Sequence, residues 1–136
     1  MDIMKSMLIA ASGLKAQTGR MRVIAENLAN AESVSLTPGG DPYRRQIATM
    51  RNTFDRELGA QIVKASRPVA DRSDFGTRYM PGHPGADAEG YVRTPNVNSL
   101  VEQTDLREAQ RSYQANLNVI TAARRMVQRT IDILRA

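Results

Sequence analysis

The 136-residue sequence contains no cysteine, no tryptophan and a single histidine. Zero Cys removes disulfides, Cys-ligated zinc and thiol nucleophiles together. It leaves the compartment open, because an exported protein can do without disulfides. Aromatic residues are scarce: Phe54, Phe75, Tyr43, Tyr79, Tyr91 and Tyr113 are all there are. The apolar fraction, 41%, is ordinary, yet 17 residues of that set are Ala. A compact domain of this length buries about 68–70% of its unfolded surface. This chain has few bulky side chains with which to do so. Long apolar runs are missing too. Met7-Leu8-Ile9-Ala10-Ala11 stops at Ser12-Gly13, far short of the ~20 residues that span a bilayer. It is also shorter than the roughly 7–15 apolar residues of a secretory signal, and only Lys5 precedes it. No transmembrane segment and no cleaved signal peptide are expected, so export would need another route.

The formal net charge is +5. That excess suggests a basic helical module binding nucleic acid or an acidic partner. A nucleic-acid face concentrates its basic groups in a patch or stripe, and here they are spread. Residues 1–34 carry four basic and three acidic side chains, residues 35–96 nine and seven, residues 97–136 six and four. The densest group is Arg124, Arg125, Arg129 and Arg135, where basic side chains also suit the C-terminal end of a helix dipole. The expectation is no nucleic-acid partner, with the basic module kept as the alternative.

Enzymatic constellations are absent as well. His83 has Asp87 and Glu89 close behind it, but no second His and no Cys to complete a zinc site. It sits among Pro and Gly and reads as a turn-stabilising or surface residue. Ser33, Ser35 and Thr37 have no local base partner. Pro38-Gly39-Gly40-Asp41 lacks the Lys-Ser/Thr of a phosphate-binding loop. Asp71, Asp74 and Asp87 do not have calcium-loop spacing. The reading is no catalytic residue, no metal and no cofactor.

What is present is helical periodicity at both ends. From Asp2 to about Asn30 there is no Pro. Ile3, Met7, Ala10, Leu14, Gln17, Met21, Ile24 and Leu28 recur in a 4-3-4-3 pattern with one polar exception, the 3.5-residue period of a coiled coil. Gly13 and Gly19 weaken this helix by roughly 1 kcal/mol each relative to Ala, so it relies on packing. Ser33 to Pro42, with Pro38, Gly39 and Gly40, is a firm break. Residues 43–96 read as irregular or β-like. Strands are expected over Arg45 to Phe54 and Gln61 to Ala65, around a turn near Glu57–Ala60, with Arg51–Leu58 as a short helix the alternative. After Pro68 the pattern is extended loop with at most a short strand at Tyr91-Val92-Arg93. From Val97 onward there is neither Pro nor Gly. Asn98 or Ser99 can cap a helix, and Glu102 follows Ser99 at capping-box spacing. Leu106, Tyr113, Ile120, Val127 and Leu134 fall every seven residues, with Leu117 and Ile131 between them. Gln110 and Arg124 break the intervening series. This helix would reach almost 60 Å.

The expected fold class is mainly α: long N- and C-terminal helices paired as an antiparallel coiled coil, with a small irregular or β-hairpin middle segment. The divisions are 1–34, 35–96 and 97–136. Leu8, Ile9 and Val23, and Val101, Val119, Met126 and Ile133, lie off the two seams. Exposed, they would form patches of the kind that mark contacts. A four-helix dimer and a subunit packed on several neighbours both satisfy this pattern. Ala10, Ala11, Ala25 and Ala29, and Ala109, Ala122 and Ala123, permit close helix approach. Asn27, Asn30 and Asn116 serve either as caps and solvent-facing groups or as inter-subunit hydrogen-bonding groups.

Glu26-Asn27-Leu28-Ala29-Asn30-Ala31-Glu32-Ser33 resembles the N-terminal signature of the axial proteins of the bacterial flagellum, which runs Asn-Leu-Ala-Asn and then ends in Thr or Ser. Two further segments are similar to the proximal-rod members: Pro42-Tyr43-Arg44-Arg45 after Gly39-Gly40, and His83-Pro84-Gly85-Ala86-Asp87-Ala88-Glu89-Gly90-Tyr91-Val92-Arg93-Thr94-Pro95-Asn96-Val97-Asn98. The family usually has Asp where this chain has Gly85. Tyr113-Gln114-Ala115-Asn116 and the Met126-Val127 region are similar too, so the likeness covers nearly the whole chain.

The resemblance implies a structural subunit of the proximal rod of the basal body, required for motility. It would polymerise through its terminal helices, transmit torque and line the export channel. The implied partners are copies of itself, other flagellar rod proteins, rod/MS-ring junction proteins and the flagellar type III export apparatus. The implied location is the periplasm-spanning rod, reached without a cleaved signal peptide. With the periodicity, it points to an assembly interface at Met7, Leu14, Met21, Ile24, Asn27, Leu28, Asn30, Leu106, Tyr113, Asn116, Leu117, Ile120, Val127, Ile131 and Leu134.

Overall fold

A computed structural model describes residues 2–135. Helix α1 spans Ile3–Ala29 and helix α2 spans Ser99–Arg135, with six short strands between them: β1 (Gln46–Ile47), β2 (Met50–Asp55), β3 (Ala60–Ala65), β4 (Val69–Ala70), β5 (Gly76–Tyr79) and β6 (Tyr91–Thr94). The strands form three antiparallel pairs, β1 with β4, β2 with β3 and β5 with β6. Two long terminal helices flanking a small β-rich middle match the sequence expectation. β4 and β5 replace what reads as extended loop.

The helix ends follow from local chemistry. Asp2 opens α1: its Oδ1 accepts the Met4 N–H at 3.0 Å, satisfying one of the orphan donors of the first turn. Asn30 and Ser33 close it. The Asn30 side-chain amide donates to the Glu26 carbonyl at 2.8 Å, and the Ser33 hydroxyl donates to the Asn30 carbonyl at 2.7 Å. At α2, Asn98 is the cap, its Oδ1 accepting the Leu100 and Val101 N–H groups. Glu102 does not complete a capping box. Its backbone N–H bonds the Asn98 carbonyl, and its side chain turns inward.

Turns follow equally local rules. Gly40 N–H donates to the Thr37 carbonyl, with Pro38 and then Gly39 at φ +72° between them. That is the residue order a type II turn demands. The β2–β3 hairpin pairs Asp55 with Ala60 at its tip. Asp55 Oδ1 accepts the Glu57 and Leu58 N–H groups. The strand prediction holds here, and the short-helix alternative for Arg51–Leu58 does not.

The chain divides into two compact units. One comprises the chain up to Met21, Thr49–Arg67 and the chain from Arg107 on; the other comprises Arg22–Ala48 and Pro68–Leu106. The first unit has a core of small residues, with Ala10, Ala16, Ala109 and Ala123 buried beside Ile62. Here α1 and α2 touch. Gly13 lies so close to Asn116 that a Cβ at position 13 would meet that amide at 2.9 Å. Arg20 Nη2 donates to Glu108 Oε2 at 3.3 Å. The hairpin rests on α1 through the Ser12 hydroxyl, which accepts the Val63 N–H at 3.2 Å. Gly13 therefore has a packing reason that offsets its low helix propensity.

The second unit buries Val23, Ile24 and Val92 around two polar side chains, Asn27 and Glu102. Val23, off the expected seam, is part of this core. On α2 the buried line differs from the expected one. Glu102, Ala109 and Ala123 are buried and Asn116 half-buried, whereas Leu117, Val127, Ile131 and Leu134 are exposed. Leu106, Tyr113 and Ile120 are half-buried at its edge. Small residues let the backbones approach, so the inward line follows Ala109 and Ala123 rather than the larger side chains beside them.

Candidate functional site

The most connected group of side chains is a polar network in the second unit, around Asn27 and Glu102, each 1% exposed. Asn27 uses its whole hydrogen-bonding capacity. Its Nδ2 donates to the Gln46 carbonyl at 2.8 Å and to Glu102 Oε2 at 3.0 Å. Its Oδ1 accepts from the Tyr43 hydroxyl and from the Gln46 N–H, both at 2.9 Å. A side-chain amide has two donors and two acceptor sites, and all four are taken. Burial, then the charges of Glu26 and Glu102, push the Tyr43 hydroxyl pKa upward, so it stays a donor.

Arg45 completes the network. Its Nε donates to Glu102 Oε1 at 2.6 Å, its Nη1 lies 3.4 Å from Asp71 Oδ2, and its Nη2 3.7 Å from Asp105 Oδ2. The hydrogen bond to Glu102 is the main cause of a raised Arg45 pKa, against the opposing effect of burial. The Arg45 N–H donates to Asn96 Oδ1 at 2.8 Å. Asn96 Nδ2 in turn reaches the Ser73 hydroxyl at 2.9 Å. Arg44 Nη1 donates to the Asp71 and Ser73 carbonyls, and its guanidinium stacks 4.1 Å from the centre of the Phe75 ring. The segment Pro42–Gln46 is thereby tied to α1, to α2 and to the loop after β4.

Asp71 titrates low, first because the Ser73 backbone and hydroxyl hydrogen-bond its carboxylate, then because of Arg45. A carboxylate with a depressed folded pKa contributes stability above its unfolded value, and that contribution is lost as pH falls through the folded value. The Asp71→Asn variant is therefore expected to lose less stability on acidification below 3.8, the ordinary Asp value. Denaturant melts at a series of acid pH values check this.

The His83 segment is a loop support. His83 Nδ1 accepts the Gly85 N–H at 3.0 Å. Asp87 Oδ1 accepts the Glu89 and Tyr91 N–H groups at 3.0 and 2.8 Å, and Gly90 sits at φ +86°. Asp87 is thus committed to the turn before β6. No cluster of three His, Asp or Glu side chains suited to a metal occurs among the described residues. A Cβ at Gly85 would overlap the Ser35 carbonyl oxygen, so any side chain there would require the Ser35 segment to move. His83→Ala should cost about 1 kcal/mol, the net worth of one hydrogen bond, and leave helix content unchanged. A thermal melt followed by circular dichroism checks it.

The residues expected at an assembly interface fall into three environments. Asn27 and Ile24 are buried within the chain. Met7, Leu14, Met21, Leu28, Asn30, Leu106, Tyr113, Asn116 and Ile120 are half-buried, and Leu117, Val127, Ile131 and Leu134 are exposed. Asn30 and Asn116 bond carbonyls one helical turn back. Gln17, the polar exception in the α1 seam, has a buried Oε1 without a hydrogen-bond partner among the described residues. Sequence reasoning did not single out Arg45, Glu102, Asp71 and Tyr43 as one site. The available signals were that Tyr43 and Arg45 lie within the resembling segment Pro42-Tyr43-Arg44-Arg45 and that Glu102 stands at capping-box spacing.

Comparison with known proteins agrees with this layout. Residues 7–34 match the family described as flagella basal body rod protein. Residues 88–133 match the flagellar basal body rod FlgEFG protein C-terminal family. Over 128 residues the chain is 50% identical to the flagellar basal-body rod protein FlgC of Agrobacterium fabrum, covering 94% of this chain and 92% of that one. It is 36% identical to the Bacillus subtilis protein of the same name, over 98% of this chain and 99% of that one. With the Salmonella typhimurium protein identity is 38%, over 92% of each. Two long terminal helices carrying the rod signature, a middle segment locked to them, and relatives matched over nearly their whole length place the chain in the FlgC family of flagellar basal-body rod proteins.

Proposed function

We propose that this structural basal-body rod protein is a subunit of the proximal rod, whose terminal helices pair as an antiparallel coiled coil. Its exposed helical surfaces would pack on copies of itself and on other rod and rod/MS-ring junction proteins. The single observation that carries this reading is the state of the C-terminal end of α2. Every described residue from Arg124 onward is exposed, including Met126, Val127, Ile131, Ile133 and Leu134. Apolar side chains at that density on one helix end are a surface waiting for a partner.

Support for the pairing comes from the contacts of α1 with α2. In the first unit Ile3 and Ser6 line a groove with Val119, Ala122, Ala123 and Met126. Gly13 faces Asn116 and Arg20 faces Glu108. Rising numbers on one helix meet falling numbers on the other. Heterologous contacts that do not close on themselves generate a tube or filament, and a tube of stiff helices would both transmit torque and leave an export channel. The chain would travel by the flagellar type III export apparatus without a cleaved signal peptide. In this reading residues 1–34 and 97–136 form the axial domain and residues 35–96 the middle segment.

Leu14→Asp and Ile120→Asp each place a charge on a half-buried position of the paired helices. Both variants are expected to abolish motility in soft agar, with the variant protein absent from purified basal bodies. Normal swimming by both would remove the interface assignment.

A further inference from the structure

Periodic small and apolar residues make a helix pair stick, but they do not by themselves choose its register. On α2 the inward line Glu102, Ala109, Asn116, Ala123 repeats every seven residues, as does the line Ser6, Gly13, Arg20, Asn27 on α1. A slip by seven would set Gly13 against Ala109 or Ala123, each as small as the next. Two contacts are not interchangeable. Asn27 has its four hydrogen bonds only when Glu102 lies beside it, and a Cβ opposite Asn116 would crowd its amide.

We propose that the Asn27–Glu102–Arg45 network is the register-setting device of the helix pair, and so fixes how much of α2 is offered to neighbouring subunits. The proposal rests on the antiparallel pairing put forward above. The chemistry is that of a buried polar contact that penalises every alternative alignment. After a one-heptad slip Asn27 would face Ala109 or lie beyond the start of α2. Glu102, 1% exposed, would lose the amide and the guanidinium together. A slip of seven residues also moves the α2 overhang by about 10 Å, which would displace every contact made by its exposed apolar residues. Arg45, Glu102 and Asn27 are in this sense positioning residues for assembly.

The cysteine-free sequence allows a direct test. Cysteine pairs are introduced into the purified full chain for cross-linking with a short bismaleimide. The pair R20C/E108C reports the observed alignment; R20C/A115C and R20C/V101C report slips by one heptad in either direction. In the otherwise unaltered chain only the 20–108 pair should cross-link. In the R45M/E102L background, which removes the charges together, the slipped pairs should rise at least severalfold while helix content by circular dichroism is retained. If 20–108 remains the sole product there, the proposal is overturned and the pairing stands. If the 20–108 product is missing from the unaltered background, the pairing reading itself fails and this inference falls with it. Should R45M/E102L lose its helix signal, the E102Q background is scored by the same ratio. An increase in slipped product supports the proposal, and an unchanged ratio overturns it.

Discussion

Replacing Arg45 with Ala is expected to destabilise the folded chain by about 3–5 kcal/mol, the cost of stranding one half of a buried ion pair. The size of the effect lies with Glu102 rather than with Arg45. Glu102 is 1% exposed and its Oε1 takes the Arg45 Nε at 2.6 Å. Without the guanidinium that carboxylate keeps one amide hydrogen bond from Asn27, and among the described residues Arg45 is its ion-pair partner. The double variant R45M/E102L should recover most of the loss, because replacing both partners by apolar groups of similar volume is often neutral or stabilising. The remaining deficit is one unsatisfied Asn27 donor, about 1–3 kcal/mol. Urea unfolding of the two variants beside the parent chain checks both statements. A double variant no better than R45A would mean that the segment is held mainly by contacts outside this ion pair.

The opposite pattern is expected at the other end of α2. Leu134→Asp and Ile131→Asp should change stability by no more than about 0.5 kcal/mol, as surface substitutions away from packed features do. Leu134 is 81% exposed and Ile131 is 40% exposed. Motility, in contrast, should be lost. If the α2 end packs on neighbouring subunits as proposed, an Asp there would leave a buried unpaired charge, which costs several kcal/mol at each such contact. Thermal melts and soft-agar swimming, run on the same variants, separate the two effects. Variants that melt early, or that swim normally, would contradict the division of labour between a locked interior and an exposed helix end.

Much of this organisation is legible in the sequence, for physical reasons that can be named. Both helices announce themselves through the 3.5-residue period and the missing Pro, and Asn98 through its place ahead of a Gly-free run. The β2–β3 hairpin is legible because its strands are six residues each and its turn is local. β4 and β5 are not, since β4 has two residues and β5 begins at a glycine; each is a strand only through its partner. The inward line of α2 is missed by one position. The seven-residue series of bulky side chains runs through Leu117 and not through Asn116, Ala109 and Ala123, which the sequence marks only singly, while close packing selects the small and the polar. The network is the least legible part. Asn27 meets Glu102 across 75 residues, and Arg45 meets it across 57. Nothing local in either segment encodes that pairing. The signature residues Asn27 and Asn30, read from sequence as caps and solvent-facing groups or as groups bonding other subunits, make hydrogen bonds inside the chain: one at the network's centre, the other at the closure of α1.

The scarcity of large apolar side chains is consistent with this division. The first unit is cored largely by alanines, and alanine burial contributes little per residue because little apolar area is removed from water. The larger side chains Ile133, Leu134 and Met126 stay outside. If neighbouring subunits complete the core, the backbone of the α2 end should be weakly protected alone and strongly protected in the rod.

Amide hydrogen exchange over residues 124–135, measured on the isolated chain and on purified basal bodies containing it, tests this most directly. Exchange in the isolated chain should be nearly as fast as in an unstructured peptide, because a helix end without tertiary packing frays at low free-energy cost. In the basal body the same amides should slow by at least about a hundredfold, corresponding to roughly 2.8 kcal/mol of added local stability at the usual 1.4 kcal/mol per factor of ten. Equal exchange in the two states would contradict the claim that neighbouring subunits supply the burial this chain lacks.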